Sequence, residues 1–381
     1  MLYFDHNATT PLLPEAKRAW LEAVETLVGN PSSPHRLGAR ADAALESARD
    51  RLAKALGCDA RDIVWTSGAT ESNNAVLSHL AGMSTGRPDA LLVSAVEHPS
   101  VLSPARRHFG ESVRTIPVDG RGVVSLDWLE AQLAGRGARA VAVMAANNET
   151  GVLQPWREIA ALCRSRGAPF LCDATQWIGK LPASGLGACD FVSGSAHKFG
   201  GPRGVGFLKC PTGSAIAPLL SGGKQEEGRR AGTENVAGVL AMVAALEARE
   251  SALARGAQRE RLEWREEFEQ ALTGELFGAS IVGAGTERLW NTVSAMMPES
   301  DCRQRWVVKL DKAGFAVSTG SACASGREDP SHVLAAMGLE AGEAGRVLRF
   351  SSGWETTRGD WQKLLAGLRD VHGAMLELKP T

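Results

Sequence analysis

Apolar and polar positions follow two periods along this chain. From Asp62 onward, short apolar runs at 63–66, 91–94, 140–145, 170–172, 191–192 and 205–208, and the mixed run at 113–118, read as strands. Between them, apolar positions recur every three or four residues. That spacing predicts helices starting near Thr70 and covering 99–108, 125–133 and 156–166. Strands alternating with helices imply a mostly parallel sheet covered on both faces. The expected fold is α/β: a large domain on a seven-stranded, mostly parallel sheet sandwiched by helices, plus a smaller C-terminal α/β domain.

The flanking segments complete the outline. Residues 1–14 are rich in turn formers and read as an arm. Helices are predicted at 14–27 and 38–56, with an aperiodic loop at 29–35 between them. Residues 234–273 keep one helical period and lead out of the large domain. Beyond them come strands at 291–296, 316–318 and 347–350, and helices at 301–313, 331–337 and 357–377. The expected division is an arm (1–14) packing on the small domain, a large domain (15–257) and a small domain (258–381) carrying a cysteine loop.

Composition narrows the class. The 381 residues are 44% hydrophobic with a formal net charge of -1. That is enough for a large core, and it gives no support for nucleic acid or an anionic membrane as main partner. No apolar run reaches membrane-spanning length, and the first residues lack a signal-peptide layout. A cytoplasmic protein is expected. The seven cysteines show no CxxC spacing, so neither a disulfide framework nor a structural metal site is expected.

The candidate chemistry sits at predicted strand ends. The stretch 190–202 is a short strand, a small-residue turn, then His197-Lys198 and a glycine-proline loop. A lysine there is poorly explained as a solvated charge, and its small neighbours leave room for a flat group. Lys198 is therefore a candidate for a Schiff base with pyridoxal phosphate. Asp173 ends another strand and could pair with a pyridine nitrogen, with Gln176 donating to the ring oxygen; a helix-capping aspartate is the alternative. His98 could lie over the ring and move protons, or simply start a helix. Asn148 could hold a carboxylate or the ring oxygen, or serve a turn. The stretch 66–73 runs from a strand into a helix, where Thr70 could help hold a phosphate; a plain N-cap by Thr70 or Ser67 is the alternative. Thr233 lies in a glycine-rich charged loop that could reach a phosphate.

Two features lie further on. From Thr319 to Gly326 no residue is larger than Cys323, so a mobile loop with a reactive thiol is expected. Arg349 alternates with apolar neighbours on a strand and seeks a carboxylate, for which a substrate would serve.

With these motifs in order, the chain resembles the cysteine desulfurases of the NifS/IscS type, in the class V aminotransferase group of fold type I pyridoxal-phosphate enzymes. The likeness runs from Asp5-His6-Asn7-Ala8-Thr9-Thr10 to Arg349-Phe350-Ser351. It includes 29–33, 66–73, 147–151, 173–176, 195–198, 230–235 and 318–323. The resemblance implies that Lys198 carries the cofactor and moves the Cα proton. Asp173 pairs with the ring nitrogen, Gln176 with the ring oxygen, and His98 stacks on the ring. Ala69, Thr70, Ser195 and His197 hold the phosphate, with Thr233 from the second subunit of a homodimer. Asn148 and Arg349 hold the substrate carboxylate. Cys323 takes sulfur from L-cysteine as a persulfide, releases alanine, and passes the sulfur to an acceptor such as an iron–sulfur scaffold. A selenocysteine lyase or another enzyme of the same group is the nearest alternative; an inactive sulfur-relay protein is a more distant one. His6 and Trp354 depart from the usual pattern, and Trp354 is expected to alter the pocket edge or the cysteine loop.

Overall fold

The structure is a computed structural model that describes residues 1–83, 90–135, 138–214, 216–299, 303–319 and 331–377. In chain order its strands are β1 (Leu2–Tyr3), β2 (Ile63–Thr66), β3 (Ala90–Ser94), β4 (Val113–Ile116), β5 (Ala138–Ala142), β6 (Phe170–Asp173), β7 (Phe191–Ser195), β8 (Gly206–Lys209), β9 (Ser280–Ile281), β10 (Thr292–Met296), β11 (Phe315–Ala316) and β12 (Val347–Ser351). Seven of them form one sheet in the order β2-β8-β7-β6-β5-β3-β4. From β4 to β7 the neighbours run parallel, whereas β8 is antiparallel to both β7 and β2.

The continuous apolar runs have a direct cause. Alternate residues of one strand enter different cores on the two faces of the sheet. Ile63, Trp65, Leu92 and Val141 join one core, while Val64, Leu91, Val93 and Ala140 join the other. The strand predicted at 140–145 is assigned as Ala138–Ala142, but its pairing continues: Val143 N–H donates to Leu171 and Ala145 N–H to Asp173.

The helical stretch predicted at 234–273 is two helices, Val236–Ala254 and Ala257–Glu275. The break falls at Gly256, whose φ of +73° suits glycine and ends the first helix. The first helix packs in the large core through Val239, Met242 and Leu246. The second contributes Phe268 and Leu272 to a separate core with Val293, Trp306, Leu348, Phe350 and Trp361. That core covers the antiparallel sheet β12-β10-β9. Phe4 belongs to it as well, and β1 pairs with β11, so the N-terminal residues are part of this second unit's packing.

Candidate active site

The C-terminal ends of the parallel strands open into a cavity of about 710 Å³. That is the size of a small-molecule site, at the place where parallel sheets bind ligands. Ala69, Thr70, His98, Asn148, Asp173, Gln176, Ser195, His197, Lys198 and Arg349 all line it. Thr233 does not; it is exposed in its loop. Cys323 lies outside the described residues.

Lys198 ends the short turn after β7 and is half-buried. Its Nζ donates to the carbonyls of Asn7 (2.7 Å) and Ala8 (2.9 Å). Burial, then the cation of Arg349, pulls its ammonium pKa down to about 8, with Asp173 and Asp5 opposing. The lowered pKa leaves far more of it neutral, and so able to act as nucleophile and base, than an ordinary lysine.

Asp173 ends β6 and is 5% exposed. Asn73 Nδ2 donates to its Oδ2 at 2.9 Å, and the Thr175 N–H to its Oδ1 at 3.0 Å. Both oxygens are thus held in place by donors. The same Asn73 nitrogen donates to Ser100 Oγ at 3.0 Å, and Ser100 Oγ lies 2.9 Å from His98 Nδ1. His98 also caps its helix: Nδ1 accepts from the Ser100 N–H at 3.1 Å. A neutral ring then carries its proton on Nε2. Capping and cavity lining are therefore both true of His98. Its pKa is lowered, chiefly by burial, against the pull of Asp173.

Neither Ser67 nor Thr70 caps the helix Ala69–Gly82. Its N-cap is Gly68, with φ of +152° and no side-chain cap. Instead Ser195 Oγ accepts from the Ala69 N–H at 2.8 Å. This helix start, with Thr70 and Ser195 beside it, is suited to an anion. The donor set of a cavity holding a lysine of lowered pKa, an oriented buried carboxylate and such a helix start fits pyridoxal phosphate. Thr175 Oγ1, also on the cavity wall, is buried without a partner among the described residues.

The comparisons with known proteins agree with the geometry. The model of the family described as "Aminotransferase class-V" matches residues 2–364. The chain belongs to the class-V aminotransferase family. Within it the chain is of the NifS/IscS cysteine desulfurase type. It is 36% identical over 386 residues to "Cysteine desulfurase IscS" of Dictyoglomus turgidum, covering 100% of this chain and 96% of that one. A solved "NIFS-LIKE PROTEIN" superposes with a TM-score of 0.90 at 32% identity, covering 98% of this chain and 99% of the other. "SspA in complex with cysteine" superposes with a TM-score of 0.79 at 28% identity, over 92% of this chain and 98% of that one.

In this class-V member Arg349 has partners within the chain, and the cavity is built with further residues that the pattern of the sequence did not single out. Arg349 is not a lone cation awaiting a substrate: it donates to Asp5 Oδ1 at 2.7 Å and to the Asn148 carbonyl at 2.8 Å. Asn7 is the hub of the arm. Its side chain meets Asn148 O, Thr292 Oγ1 and Asn291 Nδ2, while its carbonyl receives both Lys198 and Gln176. Val307, Val308, Val317, Ser318 and Thr319 form the cavity wall from the second unit. Asp5 and Asn7 did carry a signal, since they belong to the 5–10 motif, but the motif gave them no role.

The two departures from the family pattern lie side by side. The His6 ring packs on Gly353, where a Cβ would come within 2.2 Å of its Cε1. Burial lowers the His6 pKa to about 4. Trp354 does not line the large cavity. It packs on Trp290, with ring centroids 4.7 Å apart, and donates to the Gly179 carbonyl at 2.9 Å.

Proposed function

We propose that this chain is an L-cysteine desulfurase dependent on pyridoxal phosphate. It removes sulfur from L-cysteine, releases L-alanine, and keeps the sulfur as a persulfide on Cys323 for transfer to an acceptor such as an iron–sulfur scaffold. The observation that carries this reading is the meeting of Lys198 and Asp173 in one cavity that Thr319 also lines. Cys323 is four residues beyond Thr319 in the sequence. Four residues span at most about 14 Å, a tether length that allows the thiol to reach the cavity.

Asp173 would hold the pyridine nitrogen protonated, and Gln176 and Asn148 would face the ring oxygen. His98 would cover the ring. The helix start at Ala69 and Thr70, with Ser195 and His197, would hold the phosphate. When bound, the group supplies an electron sink for the substrate Cα. Lys198 holds the group and later moves the Cα proton. Arg349 and Asn148 fix the substrate carboxylate and thereby its Sγ. The Cys323 thiolate attacks that sulfur: a new S–S bond forms, the Cβ–Sγ bond breaks, and its electron pair stays on Cβ, which takes a proton to become the alanine methyl.

The reading includes a homodimer in a cytoplasmic setting, in which Thr233 of a second copy reaches the phosphate. Thr233 is exposed and away from its own chain's cavity, which suits that role. Among the described residues no helix is long and apolar enough to cross a membrane. The test is reconstitution. The purified chain with pyridoxal phosphate should be yellow and should release sulfide from L-cysteine; Lys198→Ala should lose the covalently held chromophore. A chain that cannot be coloured overturns the reading.

A further inference from the structure

Lys180 is 4% exposed and has no carboxylate within ion-pair distance among the described residues. A buried cation without such a partner is costly, so its position calls for a cause. Its Nζ donates to Gln176 Oε1 at 2.6 Å and to the Gln176 carbonyl at 3.3 Å. The Lys180 carbonyl in turn accepts from Trp290 Nε1 at 2.8 Å. The preceding Gly179, with φ of +76°, lies against Phe199, where a Cβ would be 2.2 Å from the Phe199 Cβ. The turn is therefore locked against the residue that follows Lys198.

An amide has one accepting and one donating end. The Lys180 amine donates to the oxygen end of Gln176, with or without its third proton. At the other end, Gln176 Nε2 donates to the Asn7 carbonyl at 2.9 Å, the same carbonyl that receives Lys198 Nζ. Nε2 carries two hydrogens and Asn7 uses one. The second is left for the cavity that Gln176 lines.

We propose that Lys180 is a positioning residue that grips Gln176 Oε1 from behind, so that Gln176 presents a polarised N–H donor to the cavity. The inference rests on the reading above, in which Gln176 donates to the phenolic oxygen of pyridoxal phosphate. Donation into the oxygen of an amide strengthens its N–H as a donor, which is the effect the ring oxygen would feel. The stability cost of the buried cation is then the counterpart of a function. Burial and the cations of Lys198, Arg349 and Arg249 push the Lys180 ammonium well below the lysine range, which fits a group held there at a cost.

The experiment compares the full-length chain with Gln176→Met, Lys180→Met and the double variant, each reconstituted with pyridoxal phosphate. Lys180→Leu is made as well, in case the methionine variant fails to fold. The readouts are the visible absorption maximum of the bound cofactor, the kcat with L-cysteine, and the Tm. Lys180→Met is expected to shift the maximum in the same direction as Gln176→Met. It should lower kcat about tenfold, the loss of one buried hydrogen bond. The double variant should be no worse than Gln176→Met alone, because both remove one chain of contacts. The Tm should hold or rise. The proposal is overturned if Gln176→Met shifts the maximum while both Lys180 variants keep the wild-type maximum, or if the two effects multiply in the double variant. If Gln176→Met itself leaves the maximum unmoved, the assigned role of Gln176 fails, and the proposal fails with it.

Discussion

The guanidinium of Arg349 reaches Asp5 Oδ1 at 2.7 Å, joining a strand of the second unit to the N-terminal arm across 344 positions of sequence. A substrate carboxylate must share this cation with Asp5. Replacing Arg349 by Lys turns a planar fork into a point charge. The KM for L-cysteine is then expected to rise about tenfold or more, the worth of a hydrogen bond to a charged group. Asp5→Asn keeps the shape and removes the competing charge, so its KM should fall. Steady-state kinetics decide this; a raised KM in Asp5→Asn would mean that Asp5 orients Arg349 more than it competes.

Lys198 gives the pH dependence of cofactor capture. Its amine is neutral above about 8, and only the neutral amine attacks a carbonyl. Colour development on adding pyridoxal phosphate to the cofactor-free chain should accelerate with pH and level off above about 8. Arg349→Ala removes a cation and should move the midpoint up. Asp173→Asn removes an anion and should move it down. Stability has the linked sign. Between about 8 and 10.5 the unfolded lysine holds more proton than the folded one, so this group's contribution rises with pH across that window. Stopped-flow absorbance over a pH series tests the first statement, and thermal melts of the cofactor-free chain test the second.

Gly206 couples the sheet to the helix start. A Cβ there would lie 2.4 Å from the Gly194 carbonyl oxygen and 2.5 Å from the Gly68 Cα. Both are backbone atoms that cannot swing aside. Gly206→Ala should therefore displace Gly68 and the first turn it precedes, at a cost of roughly 1–3 kcal/mol. Affinity for pyridoxal phosphate should fall much more than affinity for pyridoxal, which has no phosphate to lose. Equal losses for the two ligands in a fluorescence titration would place the damage elsewhere.

Glu226 anchors the loop that carries Thr233. Its carboxylate accepts from Arg49 NH1 and NH2, each at 2.9 Å, and from the Trp65 N–H at 3.0 Å. It does so from the left-handed region, with φ of +48°. Glu226→Ala leaves the buried Arg49 with the exposed Glu46 at 3.0 Å and the Ile63 carbonyl at 2.8 Å as its remaining partners, so the expected cost is about 2–3 kcal/mol, below that of a fully unpaired buried charge. Urea unfolding followed by tryptophan fluorescence should show a loss of that size; a loss under one kcal/mol would mean that Arg49 finds water or another partner.

The fold was legible because the inner parallel strands are buried on both faces and are therefore written as apolar runs, while the edge strand β4 carries exposed polar residues. Lys198, Asp173 and His98 were legible for a related reason: each follows such a run, and the ends of parallel strands converge. Gly256 was harder to read, because the helical period continues on both sides of it and only its backbone angle breaks the helix. Asn7 and Asp5 were hidden by their segment, an arm without periodicity whose partners lie more than a hundred residues away. Lys180 was hidden by its type, since a lysine two residues before a proline reads as a solvated turn. Arg349 was read correctly as wanting a carboxylate, but no pattern along one strand could say that the protein supplies one.

The central claim is that sulfur leaves L-cysteine by way of Cys323. The direct measurement is to incubate the reconstituted chain with L-cysteine, quantify L-alanine, and locate the added sulfur by peptide mass spectrometry. The account predicts alanine formation, one extra sulfur on the Cys323 peptide, and no sulfur release by Cys323→Ser. Full activity in Cys323→Ser, or sulfur found only on another cysteine, would contradict it.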